Sequence, residues 1–220
     1  MKGRPILFSA PMVRAILEGR KTQTRLAVTK LNSKVGCWKW EDLRWDREPL
    51  YVDGSRSDRQ YLHVPAQPDW AGDYEGIVDR VYPRMIVGDL LWVRESWSPD
   101  RPGSKLVHYR ADGWDYSDCP QSGWKPSIYM PRWASRITLE VTGVRCERLQ
   151  EISEEDARAE GAMFFNGGEV NHSGWRHDYK DVYRSARGSF YSLWNSINGK
   201  RAPWESNPWV WVYKFKRVGC

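Results

Sequence analysis

The stretch FSAPMVRAILEGRKTQTR, residues 8–25, decides the fold, because it predicts a short helix that ends just before a polar, cationic segment. Ser9 can cap this helix, and Pro11 suits its first turn, where a missing N–H leaves no hydrogen bond unmade. The apolar residues recur at the spacing of one helical face, which predicts that this face is buried: Met12, Val13, Ile16 and Leu17. Gly19 tolerates the left-handed conformation that ends a helix. We therefore expect residues 20–25 to form a turn that presents a site.

The composition indicates a basic protein with many aromatic rings. Among its 220 residues, hydrophobic types make up 40% and charged types 28%, which is ordinary for a globular protein. Fourteen Trp and eleven Tyr exceed what a core of this size needs, and half-exposed rings with a polar edge suit stacking. The net charge is +6. Basic charge between aromatic residues favours a nucleic acid or nucleotide partner, although a merely soluble basic protein has the same composition.

The cysteines and the N-terminus predict a soluble cytoplasmic protein. The thiols are widely scattered with no CxxC pair, which argues against a zinc ribbon or a thioredoxin-type motif: Cys37, Cys119, Cys146 and Cys220. We interpret them as reduced thiols. The opening MKGRPILFSAP lacks the apolar core of a signal peptide, and no apolar run approaches membrane-spanning length.

Regular segments alternate with long polar excursions, which predicts one strand-rich α+β domain over residues 1–220. Apolar runs and alternation predict strands at 90–93, 137–142 and 208–215, the last with its aromatic residues on one face and its valines on the other. Further helices are expected at 152–162, capped by Ser153 and ended by Gly161, and at 190–198, closed by Gly199. Three Trp-rich insertions interrupt these elements, at about 31–83, 98–134 and 164–188. The expected architecture is a small twisted β-barrel with a few short helices.

Lys21 and Thr24 are the first chemical candidates. The neighbouring cations Arg20 and Arg25 disfavour a further positive charge, and a lysine acts as a base only when its pKa falls well below about 10.4. Thr24 lies near enough in the chain for its hydroxyl to bond the Lys21 amine, and an adjacent amine can activate a hydroxyl for acyl transfer. The alternative is that the three cations contact phosphates and Thr24 sits in a turn.

Glu160 is the second candidate, because it is the last residue before the helix-ending Gly161. The helix dipole opposes a carboxylate there, which suits a proton donor. The alternative is one more solvated glutamate, as expected for Glu154 and Glu155.

Glu95 and Trp97 directly follow the predicted strand at 90–93. Glu95 could accept a hydrogen bond from a cytosine amino group or pair with Arg94, and Trp97 could stack on a base. His172 and His177 lie five residues apart in a loop, which is poor spacing for metal ligands, so we expect no metal site.

Four blocks of this chain together resemble the ASCH domain family of PUA-like β-barrels. They occur in the family's order: GRKTQTR at 19–25, VGDLLWV at 87–93, the strand and glutamate-bearing helix at 136–162, and WVWVYKFKRV at 209–218. In the small bacterial ASCH enzymes that hydrolyse N4-acetylcytidine, a lysine acts as base, a threonine as nucleophile and a glutamate as proton donor. The resemblance assigns these catalytic roles to Lys21, Thr24 and Glu160, without metal or cofactor.

The chain also departs from those enzymes. It is much longer, and Leu26 stands where the short enzymes place an arginine. The long, Trp-rich form is similar to ASCH proteins encoded by bacteriophages and prophages, for which the host cytoplasm is the expected location.

The resemblance implies an amidohydrolase that acts on an N4-acylated cytosine nucleoside or nucleotide, with Arg20, Arg25, Glu95 and Trp97 binding the substrate. Two alternatives use the same basic pocket. One is a non-catalytic module that binds RNA or modified DNA, in which the cations hold phosphate. The other is a metal-independent ribonuclease that uses Lys21 and Glu160.

Overall fold

A computed structural model of the chain describes residues 3–28, 62–65, 77–113, 122–166, 173–177 and 181–219. Within these ranges the α-helices are α1 (Ala10–Leu17), α2 (Glu154–Ala159) and α3 (Ala186–Asn198). The strands of the first half are β1 (Arg4–Leu7), β2 (Gln23–Ala27), β3 (Leu62–Pro65), β4 (Ile77–Val81), β5 (Leu90–Arg94), β6 (Trp97–Pro99) and β7 (Val107–Tyr109). Those of the second half are β8 (Thr138–Arg148), β9 (Met163–Phe165), β10 (Gly174–Arg176) and β11 (Trp209–Val218).

Five strands form a mixed sheet in the order β1-β5-β8-β11-β2. Strands β1 and β5 are parallel, and the other neighbours are antiparallel. Pairs β3–β4, β6–β7 and β9–β10 lie outside this sheet. The predicted α+β class is confirmed. Over the described ranges the sheet has two edges, β1 and β2, and does not close into a barrel.

The alternation predicted for the last strand is confirmed, and it places β11 between two cores. The aromatic residues of β11 belong to a core that also holds Val13 and Ile16 of α1: Trp209, Trp211, Tyr213 and Phe215. The valines Val210 and Val212 face a second core, built with α2 and α3. Because successive side chains of a strand point to opposite faces, this one strand joins both cores.

The predicted helices are confirmed, with small changes in their caps. Ser153 begins α2, and its hydroxyl accepts a hydrogen bond from the Asp156 N–H. Ser9 precedes α1 with extended backbone, but its side chain makes no capping hydrogen bond. Gly199 follows α3 in right-handed helical conformation, so it does not end that helix by a left-handed turn.

The turn predicted at 20–25 is wrong in its second half, because Gln23 already begins strand β2. Gly19 turns the chain with a φ of +77°. Gln23 then pairs with Lys214 and Thr24 with Tyr213, in antiparallel register along β11. These polar residues contain no apolar run that would predict a strand. The strand forms because it pairs with β11, and this tertiary pairing overrides the local preference for a turn.

Strand β1 was not predicted, since RPIL is short and lacks the alternation of a half-buried strand. Strand β8 also runs six residues beyond the predicted end at 142, reaching Arg148. Much of the insertion at 31–83 lies outside the described residues, as do parts of those at 98–134 and 164–188. No helix in the described ranges is long and apolar enough to cross a membrane.

Candidate functional site

The end of α1 lies next to the end of α2, and this places Lys21 beside Glu160. Lys21 follows the end of α1 and Glu160 caps the end of α2, and the two residues form an isolated antiparallel bridge. The Lys21 N–H donates to the Ala15 carbonyl at 2.9 Å, and the Thr22 N–H donates to the Ala159 carbonyl at 2.9 Å. The resemblance alone linked these two segments, and the structure places them in contact.

Lys21 is a fully buried ammonium group whose donors are all used. Its Nζ donates to Glu160 Oε2 at 2.8 Å, to the Glu160 carbonyl at 3.0 Å and to the Gln23 carbonyl at 2.9 Å. Its side chain is 0% exposed. An ammonium group has three N–H donors, so these contacts account for every one. In this arrangement the Lys21 ammonium group is the donor, and the Glu160 carboxylate is the acceptor.

Arg25 holds the other oxygen of Glu160 and joins it to two further carboxylates. Its Nη1 donates to Glu160 Oε1 at 3.0 Å, and its Nη2 donates to Glu147 Oε1 at 2.6 Å and to Asp156 Oδ2 at 2.9 Å. Burial lowers the pKa of Arg25, but the charges of Glu160, Glu147 and Asp156 outweigh it, so the pKa is raised. The guanidinium therefore stays charged and is committed to carboxylates rather than open to a phosphate.

The buried charges balance within this cluster, which we call the Lys21–Glu160 cluster. Arg145 also pairs with Glu147 and with Asp156. Three cations thus face three carboxylates: Lys21, Arg25 and Arg145 against Glu147, Asp156 and Glu160. Burying a charge is costly unless it is paired and hydrogen-bonded, and each of these side chains meets that condition.

Thr24 is buried nearby but lies on the other face of β2. Gln23 and Arg25 both reach towards α2, since Gln23 Nε2 donates to the Asp156 carbonyl at 2.9 Å. Thr24 stands between them in the strand, so its side chain shares the face of its cross-strand partner Tyr213. It is 6% exposed. Over the described ranges no hydrogen bond connects the Thr24 side chain to Lys21 or Glu160, so the structure unites two of the three predicted catalytic residues by direct contact.

Arg20 lies at the rim of the cluster. Its Nη1 donates to the Gly161 carbonyl at 2.5 Å, and its guanidinium pairs with the exposed Glu18. The Arg20 side chain is 29% exposed. It is the one predicted substrate-binding residue of the first segment that keeps access to solvent.

Glu95 and Trp97 belong to a different cluster, at β5 and β6. The arginine that pairs with Glu95 is Arg136 and not the predicted Arg94. Arg136 contacts both Glu95 oxygens, at 3.0 and 3.1 Å, and also pairs with Asp112 at 2.7 Å. Burial raises the pKa of Glu95, and the hydrogen bonds and charge of Arg136 only partly offset this rise. Trp97 is only 5% exposed and packs with Met130. A base could stack on its ring only if the covering side chains moved, so a binding role for either residue stays a prediction.

A pocket of about 230 Å³ opens beside Glu160. It lies between the start of α1, the end of α2 and α3, and its polar lining comes from Ser9, Glu160, His177 and Ser196. His177 Nδ1 lies 2.6 Å from Ser189 Oγ of α3, which orients the imidazole ring. Met12 and Leu193 supply apolar wall. Glu160 thus belongs both to the ion cluster and to the lining of the pocket.

From the sequence, His177 was considered only as a metal ligand, and its place in this pocket was not predicted. The available signal was its loop position just before α3, but no spacing rule relates that loop to Glu160. His172 lies outside the described residues. Among the residues that the structure describes, no group of three or more His, Cys, Asp or Glu side chains could hold a metal ion.

Comparisons with known proteins add nothing to this geometry. No family model matches the chain, no curated protein resembles it in sequence, and no solved structure resembles its fold.

Proposed function

We propose that this protein is an amidohydrolase of the ASCH type, with a PUA-like fold, that removes the acyl group from an N4-acylated cytosine nucleoside or nucleotide. The observation that carries the proposal is the contact of 2.8 Å between Lys21 Nζ and Glu160 Oε2, because Glu160 is also one of the residues that line a pocket of about 230 Å³. A buried, hydrogen-bonded acid and base beside a small pocket are suited to proton transfer with a bound ligand.

The proposed chemistry requires the proton of this contact to move from Lys21 to Glu160. With the proton on Lys21, the pair is an ammonium and a carboxylate, as the hydrogen bonds indicate. Transfer of that one proton along the contact yields a neutral amine and a carboxylic acid. These are the forms that a general base and a general acid need, and no outside proton donor is required. Arg25 opposes the transfer, because its guanidinium stabilises the ionised Glu160.

In the proposed reaction, the Thr24 hydroxyl attacks the acyl carbonyl carbon and gives its proton to the Lys21 amine. Glu160 then protonates the departing N4, the C–N bond breaks, and the acyl group remains on the Thr24 oxygen as an ester. Water hydrolyses that ester to give a carboxylic acid and free Thr24. This sequence requires Thr24 Oγ1 to approach Lys21 Nζ when the substrate binds.

The test is incubation with N4-acetylcytidine, with cytidine and acetate separated by chromatography. The wild-type protein should release both in equal amounts, and Thr24→Ala should abolish the release. If Thr24→Ala keeps full activity while Lys21→Ala loses it, a water molecule and not Thr24 is the nucleophile. If the wild-type protein converts no acylated cytosine, either free or within RNA, the proposal is wrong.

A second candidate is binding of a modified nucleoside by the same pocket without catalysis. The hydrogen bonds of Lys21 and Arg25 to Glu160 favour this candidate, because the two cations hold Glu160 ionised as an acceptor for an amino group. Calorimetric titration with cytidine and N4-acetylcytidine distinguishes the two. Tight binding of an unreacted nucleoside that barely responds to salt indicates the binding module, whereas release of acetate indicates the enzyme.

A further inference from the structure

A second surface, distant in sequence from Lys21 and Glu160, combines open aromatic rings with cations that have no carboxylate partner among the described residues. It lies on the segment 125–133 and the end of β5, and we call it the Trp133 face: Arg94, Lys125, Tyr129, Arg132 and Trp133. Tyr129 is 67% exposed and Trp133 is 57% exposed. Rings of this size are usually covered in a folded domain, so two of them on one short segment mark an interaction surface.

Packing holds the Trp133 ring in place, and the backbone that carries Tyr129 is folded into a short turn. Trp133 meets the buried Trp97 edge to face, with ring centroids 6.0 Å apart at 87°. Tyr129 and Trp133 each belong to a short 3-10 turn, Ser127–Tyr129 and Arg132–Ala134. The Ile128 carbonyl of the first turn accepts a hydrogen bond from Arg94 Nη1 at 3.1 Å. A pre-positioned ring loses little entropy when a ligand stacks on it.

The cations of this face have aromatic partners but no acidic ones. Arg94 and Arg132 stack on Trp92, with Cζ 4.6 and 5.7 Å from the ring centroid, and Lys125 Nζ lies 5.2 Å from the Trp97 ring. In the described part of the chain, no carboxylate lies within ion-pair distance of Arg94, Lys125 or Arg132. Arg136 close by in the sequence is instead occupied by Glu95 and Asp112. Within the described residues, these three positive charges are not neutralised by a carboxylate.

Arg94 also has a donor without an acceptor. Its Nε is buried and makes no hydrogen bond among the described residues. An unmade buried hydrogen bond is costly, and a small rotation of the guanidinium towards a phosphate oxygen would provide an acceptor.

We propose that the Trp133 face binds single-stranded nucleic acid, with bases stacked on Tyr129 and Trp133 and phosphates held by Arg94, Lys125 and Arg132. Stacking needs the flat faces of bases, which a duplex keeps covered, so a single strand fits this surface better than a duplex. An acidic peptide would satisfy the cations but would leave the two rings without flat partners. The surface goes beyond the proposed function, since it uses none of the residues of the Lys21–Glu160 cluster.

The test is fluorescence anisotropy with labelled oligo-uridine RNA, oligo-thymidine DNA and a duplex of the same length, at several salt concentrations. We expect the single strands to bind more tightly than the duplex, and Trp133→Ala and Tyr129→Ala to weaken binding about tenfold each, as loss of one stacked base does. Preference for RNA or for DNA identifies which single strand is read.

The matched control is Phe164→Ala. Phe164 is also 57% exposed and also meets a tryptophan edge to face, Trp175, at 5.4 Å. It should leave binding unchanged, and thermal unfolding should show that all three alanine variants are folded. The double variant R94Q/R132Q should make the slope of log affinity against log salt shallower by about 1.4, as expected for two lost phosphate contacts.

Equal binding of duplex and single strand would overturn the proposal, as would Trp133→Ala and Phe164→Ala having the same effect. Displacement of the oligonucleotide by poly-glutamate at equal charge concentration would also overturn it, because it would show that the face reads charge alone.

Discussion

At the scale of single residues, Glu160 is a buried carboxylate whose two oxygens each accept a hydrogen bond from a cation. One carboxylate oxygen accepts from Lys21 at 2.8 Å and the other from Arg25 at 3.0 Å, and the residue is 2% exposed. Among the described residues Lys21 has Glu160 as its one carboxylate partner, whereas Arg25 also pairs with Glu147 and Asp156. Glu160 is also one of the residues that line the pocket, so stability and the proposed chemistry meet in it.

Glu160→Gln should therefore cost much stability, about 3–5 kcal/mol of unfolding free energy, because it leaves Lys21 with an uncompensated buried charge and removes one of the three carboxylates that pair with Arg25. Urea denaturation followed by tryptophan fluorescence measures this free energy. The control Glu155→Gln changes an exposed carboxylate of the same helix and should cost less than about 0.5 kcal/mol. Equal stability of the two variants would contradict the account of the cluster.

Asp156 predicts how the cluster responds to acid. Burial raises its pKa, but Arg25 and Arg145 outweigh that effect, so the pKa lies below its ordinary value of 3.8. A lowered pKa in the folded state stabilises the protein above the unfolded value and loses that contribution as the pH falls through the folded one.

We expect Asp156→Asn to reduce the unfolding free energy at pH 7 by about 1 kcal/mol. The difference from the wild-type protein should shrink as the pH falls below about 4 and Asp156 becomes protonated in both states. Urea denaturation at a series of pH values measures it. A difference that stays constant from pH 7 to pH 3 would show that the Asp156 charge does not stabilise the fold.

At the scale of elements, two glycines form the backbone turns that place Lys21 beside Glu160. Gly19 ends α1 with a φ of +77°, and Gly161 follows α2 with a φ of +107°. Only Gly161 is also crowded, since a Cβ there would lie 3.0 Å from Ala15 Cβ and 3.2 Å from Lys21 Cβ. A Cβ at Gly19 would meet nothing within 4 Å.

Gly161→Ala and Gly19→Ala should both destabilise the protein by about 1–2 kcal/mol, because alanine disfavours positive φ. Gly161→Ala should cost more and should also reduce turnover of N4-acetylcytidine, since it pushes Lys21 away from Glu160. Comparison of the two variants by urea denaturation and by the turnover assay separates backbone strain from displacement of the site. If Gly19→Ala lowers activity as much as Gly161→Ala, the close contact at Gly161 is not what positions the pair.

Sequence patterns predicted the elements whose signals are local. The alternation of Trp209 to Phe215 indicated β11, and the cap at Ser153 with Gly161 beyond it indicated α2. The edge strand at Gln23 was not predicted, because its pairing with β11 depends on residues about 190 positions away, a separation that local periodicity does not report.

The site was predicted in part for the same physical reason. Lys21 and Glu160 lie 139 positions apart, and only the family resemblance related them. The commitment of Arg25 to three carboxylates was missed, since Glu147 and Asp156 look like ordinary surface acids in the sequence. The pocket wall from α3 and His177 arises from tertiary packing alone.

At the scale of the whole molecule, the Lys21–Glu160 cluster and the Trp133 face lie on different elements. The Lys21–Glu160 cluster lies between α1 and α2, whereas the Trp133 face lies on the segment between β7 and β8. Strand β11 packs into both cores and so fixes the frame on which α1, α2 and α3 are placed. A small modified nucleoside for the pocket and a single strand for the Trp133 face are compatible with one nucleic-acid substrate.

The central claim is that the Lys21–Glu160 pair performs proton transfer on a ligand in the adjoining pocket. The most direct measurement is the rate of cytidine release from N4-acetylcytidine by the wild-type protein, Glu160→Gln and Glu155→Gln, each shown to be folded under the assay conditions. The account predicts that Glu155→Gln keeps the wild-type rate and that Glu160→Gln is slower by about 100-fold or more, as expected for loss of a general acid. Equal rates for Glu160→Gln and Glu155→Gln would contradict it.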